Sequence, residues 1–411
     1  MRKTLFILLT ALLLCLPAHA VPDGSDVPAG NPGDDAPEGE AGPPPVAPLF
    51  VSGEAAIPFQ ALPESLPSIS SQACNACHGA LVEQWAGSGH GGTWQSPLYR
   101  VALEAAGNPQ YCLRCHLPLQ NQRSELIRGY DEATLAKPRL EPNPRFDPTL
   151  QGEGVTCAAC HVRDGVVYGP RTLRPGTSPH PVYHHPDLGE SVTCAACHQL
   201  AWPGTEEQPL YDTYGEWQGS PWAEAGIGCQ DCHMPLTLGP VSGERFAAHR
   251  SHQVRGSADD AFLARAVTVQ LGTLPPRLQR GTELPIRIEV MNTGAGHHVP
   301  TGNPHAWIEV KLVVDGVDGW STDPVSWPIH RVVDLDGEHV LGEDTRIPAG
   351  GVATFEHTVT PSKKATAPGD LRVRVELVYH RLPADLVELH EQDPADISRV
   401  FHAQEILIPL R

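Results

Sequence analysis

The chain has 411 residues, 40% of them hydrophobic, and a formal net charge of −19; that length suits two or three ordinary domains. An acidic surface repels phosphates, which argues against nucleic acid and anionic membranes as partners. It suits solubility, or a basic protein partner.

The chain begins MRKTLFILLTALLLCLPAHA. Arg2 and Lys3 precede an apolar run that ends in Ala18-His19-Ala20, the pattern of a secretory signal with a small-x-small cleavage site. The segment 1–20 is therefore read as a signal peptide, with Val21 as the mature N-terminus. Its apolar run is short for a membrane span, and no later segment is apolar enough to be one. The expectation is an exported protein, periplasmic or at the cell surface, with no transmembrane segment in the mature chain. Residues 21–68 are rich in Pro, Gly, Asp and Glu. Nothing there promises a core, so the segment is read as an acidic linker.

Residues 69–262 hold the strongest signal. Of 11 cysteines, Cys15 lies in the signal; the rest form five pairs, each followed at once by histidine. They read CNACH from Cys74, CLRCH from Cys112, CAACH from Cys157, CAACH from Cys194 and CQDCH from Cys229. VTCAACH recurs unchanged at Val155 and Val192. Zinc ribbons pair one C-x-x-C with another and need no adjacent His. A thioredoxin-like site needs one pair only. C-x-x-C-H five times out of five is the signature of covalent haem attachment. Two thiols three residues apart on a helical turn reach the two vinyl groups of one haem, and the next residue turns its imidazole to the iron. The expected cofactors are five haem c groups. Their covalent anchors are Cys74, Cys77, Cys112, Cys115, Cys157, Cys160, Cys194, Cys197, Cys229 and Cys232. The proximal iron ligands are His78, His116, His161, His198 and His233. No cysteine is left over for a structural disulfide. Porphyrin would replace much of the side-chain core, so short helices and long loops are expected, with helices predicted at LYRVALEAAG from Leu98 and DEATLAKP from Asp131.

The character changes at 263–411. AVTVQLG, LPIRIEVMN, AWIEVKLVV, IHRVVDLDG, VATFEHTVT, LRVRVELVYH and VFHAQEILIPL alternate or run apolar between turn residues. Leu371, Val373, Val375, Leu377 and Tyr379 fall on one face, with Arg372, Arg374 and Glu376 on the other. Such strands predict a β-sandwich of immunoglobulin-like size. The fold class is thus multidomain: a mostly irregular, short-helix multihaem cytochrome domain, then an all-β immunoglobulin-like sandwich.

Each iron has a second axial position, filled in an electron carrier and open in a haem that binds substrate. Candidate histidines lie in Gly- and Pro-rich loops: His90; His180, His184 and His185; His249 and His252; His297 and His298. The strand histidines His330, His357, His380 and His402 are read as surface or satisfied. Gly294, Gly296 and Gly302 in GAGHHVPTG permit tight turns and close backbone approach. A ligand at His297 would clamp the sandwich to the cytochrome domain.

CNACHGALVEQWAGSGH resembles the C-x-x-C-H … W-x-x-S-x-H signature of exported multihaem cytochromes of the cytochrome c-552/c-554 group, related to the hydroxylamine oxidoreductases. EGVTCAACHVRDG, SPHPV, GEWQGSP … CQDCHMP and SHQVRG are similar to segments of that group. GAGHHVPTG resembles the G-H-x-x-P-T-G loop of a β-sandwich that follows the haem domain in some members. The resemblance implies distal ligands at His90, His180, His252 and His297. That makes four for five haems. In the second tryptophan-serine segment Trp217 and Ser220 are present, but Trp222 stands at the histidine's place. His184, His185, His249 or His298 is left to serve the fifth haem, or that haem is open.

Three functions compete: an exported multihaem cytochrome carrying electrons between redox partner proteins; an oxidoreductase acting on a small nitrogen or sulfur compound at one open haem; and a docking subunit, oligomeric or part of a larger redox assembly. The first is favoured, and no catalytic residue is assigned.

Overall fold

The computed structural model describes residues 49–50, 56–105, 110, 112–130, 138–173, 178–201, 209–316, 319–333, 341–362, 369–383 and 397–411. The signal peptide, most of the linker and nearly all of the helix predicted from Asp131 lie outside these residues. The described residues all belong to one compact unit, within residues 46–411. None of its described helices is long and apolar enough to cross a membrane.

Up to residue 264 the elements are short. The helices are α1 (Ser71–Ala86), α2 (Pro97–Ala105), α3 (Leu113–His116), α4 (Pro148–Gly152), α5 (Cys157–His161), α6 (Val192–His198), α7 (Thr213–Gln218), α8 (Pro221–Glu224), α9 (Cys229–His233) and α10 (Asp260–Ala264). Every C-x-x-C-H motif lies on a helical turn: in α1, at α3, α5 and α9, and at the end of α6. The helix predicted at Leu98 is α2. Small sheets interrupt the loops, which the sequence reading did not foresee. They are β1 (Glu125–Tyr130) with β2 (Pro138–Pro142), β3 (Val162–Arg163) with β4 (Val166–Gly169) and β5 (Tyr183–His184), and β6 (Leu236–Ser242) with β7 (Arg245–Arg250).

The end of the supposed linker is packed. Leu49 and Ile57 are buried, and Ile57 joins a small core with Ile69, Leu119, Leu150, Ala158 and Val162. Backbone bonds Ile57 N to Pro118 O (2.8 Å) and Gln120 N to Ile57 O (2.9 Å) tie it down. The expectation that nothing up to residue 68 buries a core is therefore corrected for its last stretch. A few apolar residues among prolines suffice when a neighbouring strand-like segment offers its backbone groups.

From residue 267 the described elements are strands: β8 (Val267–Leu271), β9 (Leu284–Asn292), β10 (Trp307–Gly316), β11 (Val325–Ile329), β12 (Arg331–Val333), β13 (Leu341–Asp344), β14 (Val352–Val359), β15 (Gly369–His380) and β16 (Ser398–Leu410). One antiparallel sheet runs β11-β10-β15-β16 and a second runs β14-β9-β8. Both feed one core: Leu284, Ile286, Ile288 and Val290 from β9, Ile308, Val310, Leu312 and Val314 from β10, and Leu371, Val373, Val375, Leu377 and Tyr379 from β15. The period-two burial is what the alternating sequence requires. Strand β11 was missed because Pro328 interrupts its pattern; it sits at a sheet edge, where a missing N–H is tolerated.

The two parts of this unit touch. Val101 of α2 packs with Leu382 and Ile397. Glu216 of α7, its side chain only 2% exposed, pairs with Arg346 at 2.7 Å and accepts from the His298 N–H at 3.1 Å and the Thr301 hydroxyl at 3.0 Å.

Candidate haem-binding site

Each motif turn puts its histidine at the helix end, where the next residue leaves the helix. In α1 this shows as a local break at His78 (φ −105°, ψ 34°). The N-termini of α1 and α5 share one buried carboxylate. Glu153 accepts from the Ser70 and Thr156 hydroxyls (2.5 and 2.6 Å) and from Ser71 N (3.0 Å). A carboxylate there satisfies orphan donors and complements both helix dipoles.

Four of the five motif histidines face a second histidine. His78 and His180 have ring centres 6.3 Å apart, His198 and His90 6.3 Å, His161 and His252 6.2 Å, and His233 and His297 6.2 Å. Two imidazoles on opposite sides of one metal, each bonded at roughly 2.0–2.1 Å, have ring centres about 6 Å apart. The partners are the four histidines that the resemblance implied.

Second bonds fix which ring nitrogen is free. Nδ1 of His78 lies 2.6 Å from Val241 O, that of His161 2.8 Å from Tyr168 O, that of His252 3.0 Å from Arg250 O, and that of His297 2.8 Å from His298 O. His233 Nδ1 meets Arg255 O in the same way. A carbonyl can only accept, so Nδ1 carries the hydrogen and the Nε2 lone pair is left for a metal. Burial, and then the charge of neighbouring histidines, holds His116, His198 and His252 down to about 4, so these rings are neutral, as ligands must be.

His116 differs. Its Nδ1 is 2.7 Å from the Thr93 hydroxyl, and Tyr99 stacks on its face at 3.6 Å and 6°. Among the described residues no histidine ring faces it at the spacing of the other four. His184 is exposed. His185 is buried, stands edge-on to Tyr168 at 5.2 Å and accepts from Asp187 N, which occupies its Nδ1. His298 is engaged with Glu216. His249 bonds Ala247 O through Nδ1 (3.1 Å), and its buried Nε2 has no hydrogen-bond partner.

One cavity of about 3240 Å³ is bordered by all ten motif cysteines, the five motif histidines and the four histidines that face them. Ordinary small-molecule pockets measure roughly 300–1,000 Å³, so this one has room for several large groups. Among the described residues no three or more His, Cys, Asp or Glu side chains converge as a bare-metal cage would require. Donors grouped as a thiol pair plus one or two imidazoles fit a planar macrocycle with axial ligands, and do not make a four-ligand zinc site.

The motifs also touch one another. Thiols of different motifs meet at Cys74 with Cys157, Cys115 with Cys197, and Cys194 with Cys229. Arg114 Nη2 donates to Ala196 O at 3.0 Å, and Cys229 N donates to Ser191 Oγ at 3.0 Å. Cys160 lies close enough to act on Cys194 and Cys197. The fourth motif therefore neighbours the second, the third and the fifth, and the first adjoins the third.

The GAGHHVPTG loop fits the close approach expected of its glycines. A Cβ on Gly294 would stand 1.9 Å from Arg265 O, and Gly302 has φ +87°. Trp222, at the place of an absent histidine, packs instead against Gly296 of this loop, 3.3 Å from where a Cβ would be. The strand histidine His380 is satisfied, 2.7 Å from Ser398 Oγ and 3.2 Å from Glu309 Oε2.

No protein-family model matches the chain, and no curated protein matches it. Among solved structures it is similar to a penta-heme cytochrome c552 from Thermochromatium tepidum, with 20% identity over 82% of this chain and 98% of that chain and a TM-score of 0.58. The chain shares that protein's fold. The C-terminal domain of wzt (10% identity, 36% of this chain, 74% of that chain, TM-score 0.21) and a beta-glucosidase from Listeria innocua (14%, 35%, 16%, 0.19) align too loosely to carry an argument.

Proposed function

We propose that the chain is an exported multihaem c-type cytochrome that carries electrons between redox partner proteins through five covalently bound haems, with a C-terminal immunoglobulin-like β-sandwich. The observation that carries this reading is the set of four histidine pairs at 6.2–6.3 Å, each with one member on a C-x-x-C-H turn. The ten cysteines anchor the haems. His78 with His180, His198 with His90, His161 with His252 and His233 with His297 would each hold one haem iron, and His116 would serve the fifth. When bound, each haem supplies a one-electron couple at its iron. The chain's own part is to hold the irons at fixed ligation, exclude water and set each site's electrostatics. The cysteine contacts favour a branched order, with the first motif leading to the third and the fourth joining the second, third and fifth.

A second reading keeps one haem for a small nitrogen or sulfur compound. What favours it is His116, which faces no described histidine and has the buried, unpartnered Tyr99 hydroxyl beside it. The test is a haem count on protein matured with the haem-attachment machinery, by mass and by absorption, followed by reductive titration. Five covalent haems, all reducible and reoxidisable, are expected. Zinc in place of haem, or fewer than five haems per chain, would contradict the proposal.

A further inference from the structure

The third motif carries a buried charge that ligation does not use. Arg163, directly after α5 in β3, is 5% exposed. Its guanidinium folds back on the turn that holds Cys157, Cys160 and His161. Nη1 donates to Ala158 O (3.2 Å) and Val162 O (2.5 Å), Nη2 donates to Ala159 O (2.6 Å), and Nε donates to Leu49 O. The Phe50 ring covers the other side, 5.1 Å away. All these partners are carbonyls or a ring face. Among the described residues no carboxylate forms an ion pair with it, and the adjacent Asp164 is exposed. The buried carboxylate of Glu153 sits at the opposite, N-terminal end of the turn, satisfied by its own donors.

A guanidinium loses its proton only far above neutral pH, so the site carries a permanent cation. Arg163 acts directly on Cys160 and His161. Oxidising a bis-imidazole haem adds one positive charge to it. A fixed cation in a weakly screened interior opposes that step and favours the reduced form. The first motif has no counterpart: Ser71, Gln72 and Ala73 lead into it, and Gly79 and Ala80 follow His78.

We propose that Arg163 tunes the haem held by Cys157, Cys160 and His161, raising its reduction potential above the value the same site has without the charge. The idea rests on the haem reading given above. Electrons passing from the first motif toward the fourth would then pause at the third.

The test is spectropotentiometric titration of the fully loaded, full-length protein. In Arg163→Gln one of five one-electron waves should move to lower potential. The reduced-to-oxidised ratio at fixed applied potential should fall about tenfold, ~59 mV for a one-electron couple. Arg163→Lys, which keeps the charge, should restore most of the shift. Phe50→Glu leaves the four hydrogen bonds in place and sets a carboxylate against the guanidinium; it should move the same wave the same way, and it carries the test if Arg163→Gln does not assemble. Five haems with no wave moved in either variant would overturn the proposal. So would a Lys variant shifted as far as the Gln variant, which would make Arg163 a scaffold of hydrogen bonds. Fewer than five haems in the unsubstituted protein would instead defeat the haem reading.

Discussion

At the scale of single residues, a metal-binding histidine is defined as much by its Nδ1 contact as by its Nε2 direction. His297, as a proposed iron ligand, makes the point. Its Nδ1 is held by the His298 carbonyl, the loop behind it is pressed on the Arg265 backbone at Gly294, and Glu216 anchors the next residue's N–H. Second bonds of this kind fix tautomer and ring orientation. His297→Met should therefore alter the spectrum of one haem and leave the others alone, read by low-temperature absorption and electron paramagnetic resonance. An unchanged spectrum would sink the assignment of His297 to an iron. The five motif turns were legible because C-x-x-C-H is a local pattern. Which other histidine faces which motif was not, because that is set by long-range folding: His90 follows the first motif yet faces the fourth, and His180 faces the first. Arg163 and Glu153 gave no signal at all, since a charged residue in sequence looks alike whether buried or solvated.

At the scale of elements, the strands were the readable part and the small hairpins were not. Alternation over β9, β10 and β15 is long enough to impose register and to bury one face completely. Leu312 is 1% exposed and lies in this shared core. Leu312→Ala should cost about 2–5 kcal/mol, through lost burial plus the cavity left behind. Denaturant unfolding of the loaded protein, followed by a probe of the C-terminal strands such as Trp327 fluorescence, checks this; a loss under 1 kcal/mol would mean that the two sheets do not form one tight core. Hairpin β6–β7 escaped notice because its residues do not alternate in burial: Leu236, Leu238 and Phe246 are exposed. Its register is kept by backbone pairing, and the Val241 carbonyl it presents to His78 is a feature no side-chain pattern encodes. The packed end of the supposed linker escaped for a similar reason, since Ile57 is held by backbone bonds to Pro118 and Gln120.

At the scale of the whole molecule, the two parts of the chain stabilise themselves differently. The strands share an extensive side-chain core, whereas among the described residues the motif-bearing part gathers six buried apolar residues in its own cluster and surrounds a cavity of about 3240 Å³. The parts are then joined where the loop carrying His297 reaches His233, so the sheet region supplies half of one facing histidine pair. Five C-x-x-C-H turns, four facing histidines and one histidine flanked by Thr93 and Tyr99 form one system. Electron paramagnetic resonance on the fully oxidised, fully loaded protein tests this most directly, with the spins counted against haem content. The account expects five haems per chain, four of them low-spin with two imidazole ligands and the fifth, at His116, distinct. Fewer than four bis-imidazole signals among five haems would contradict it.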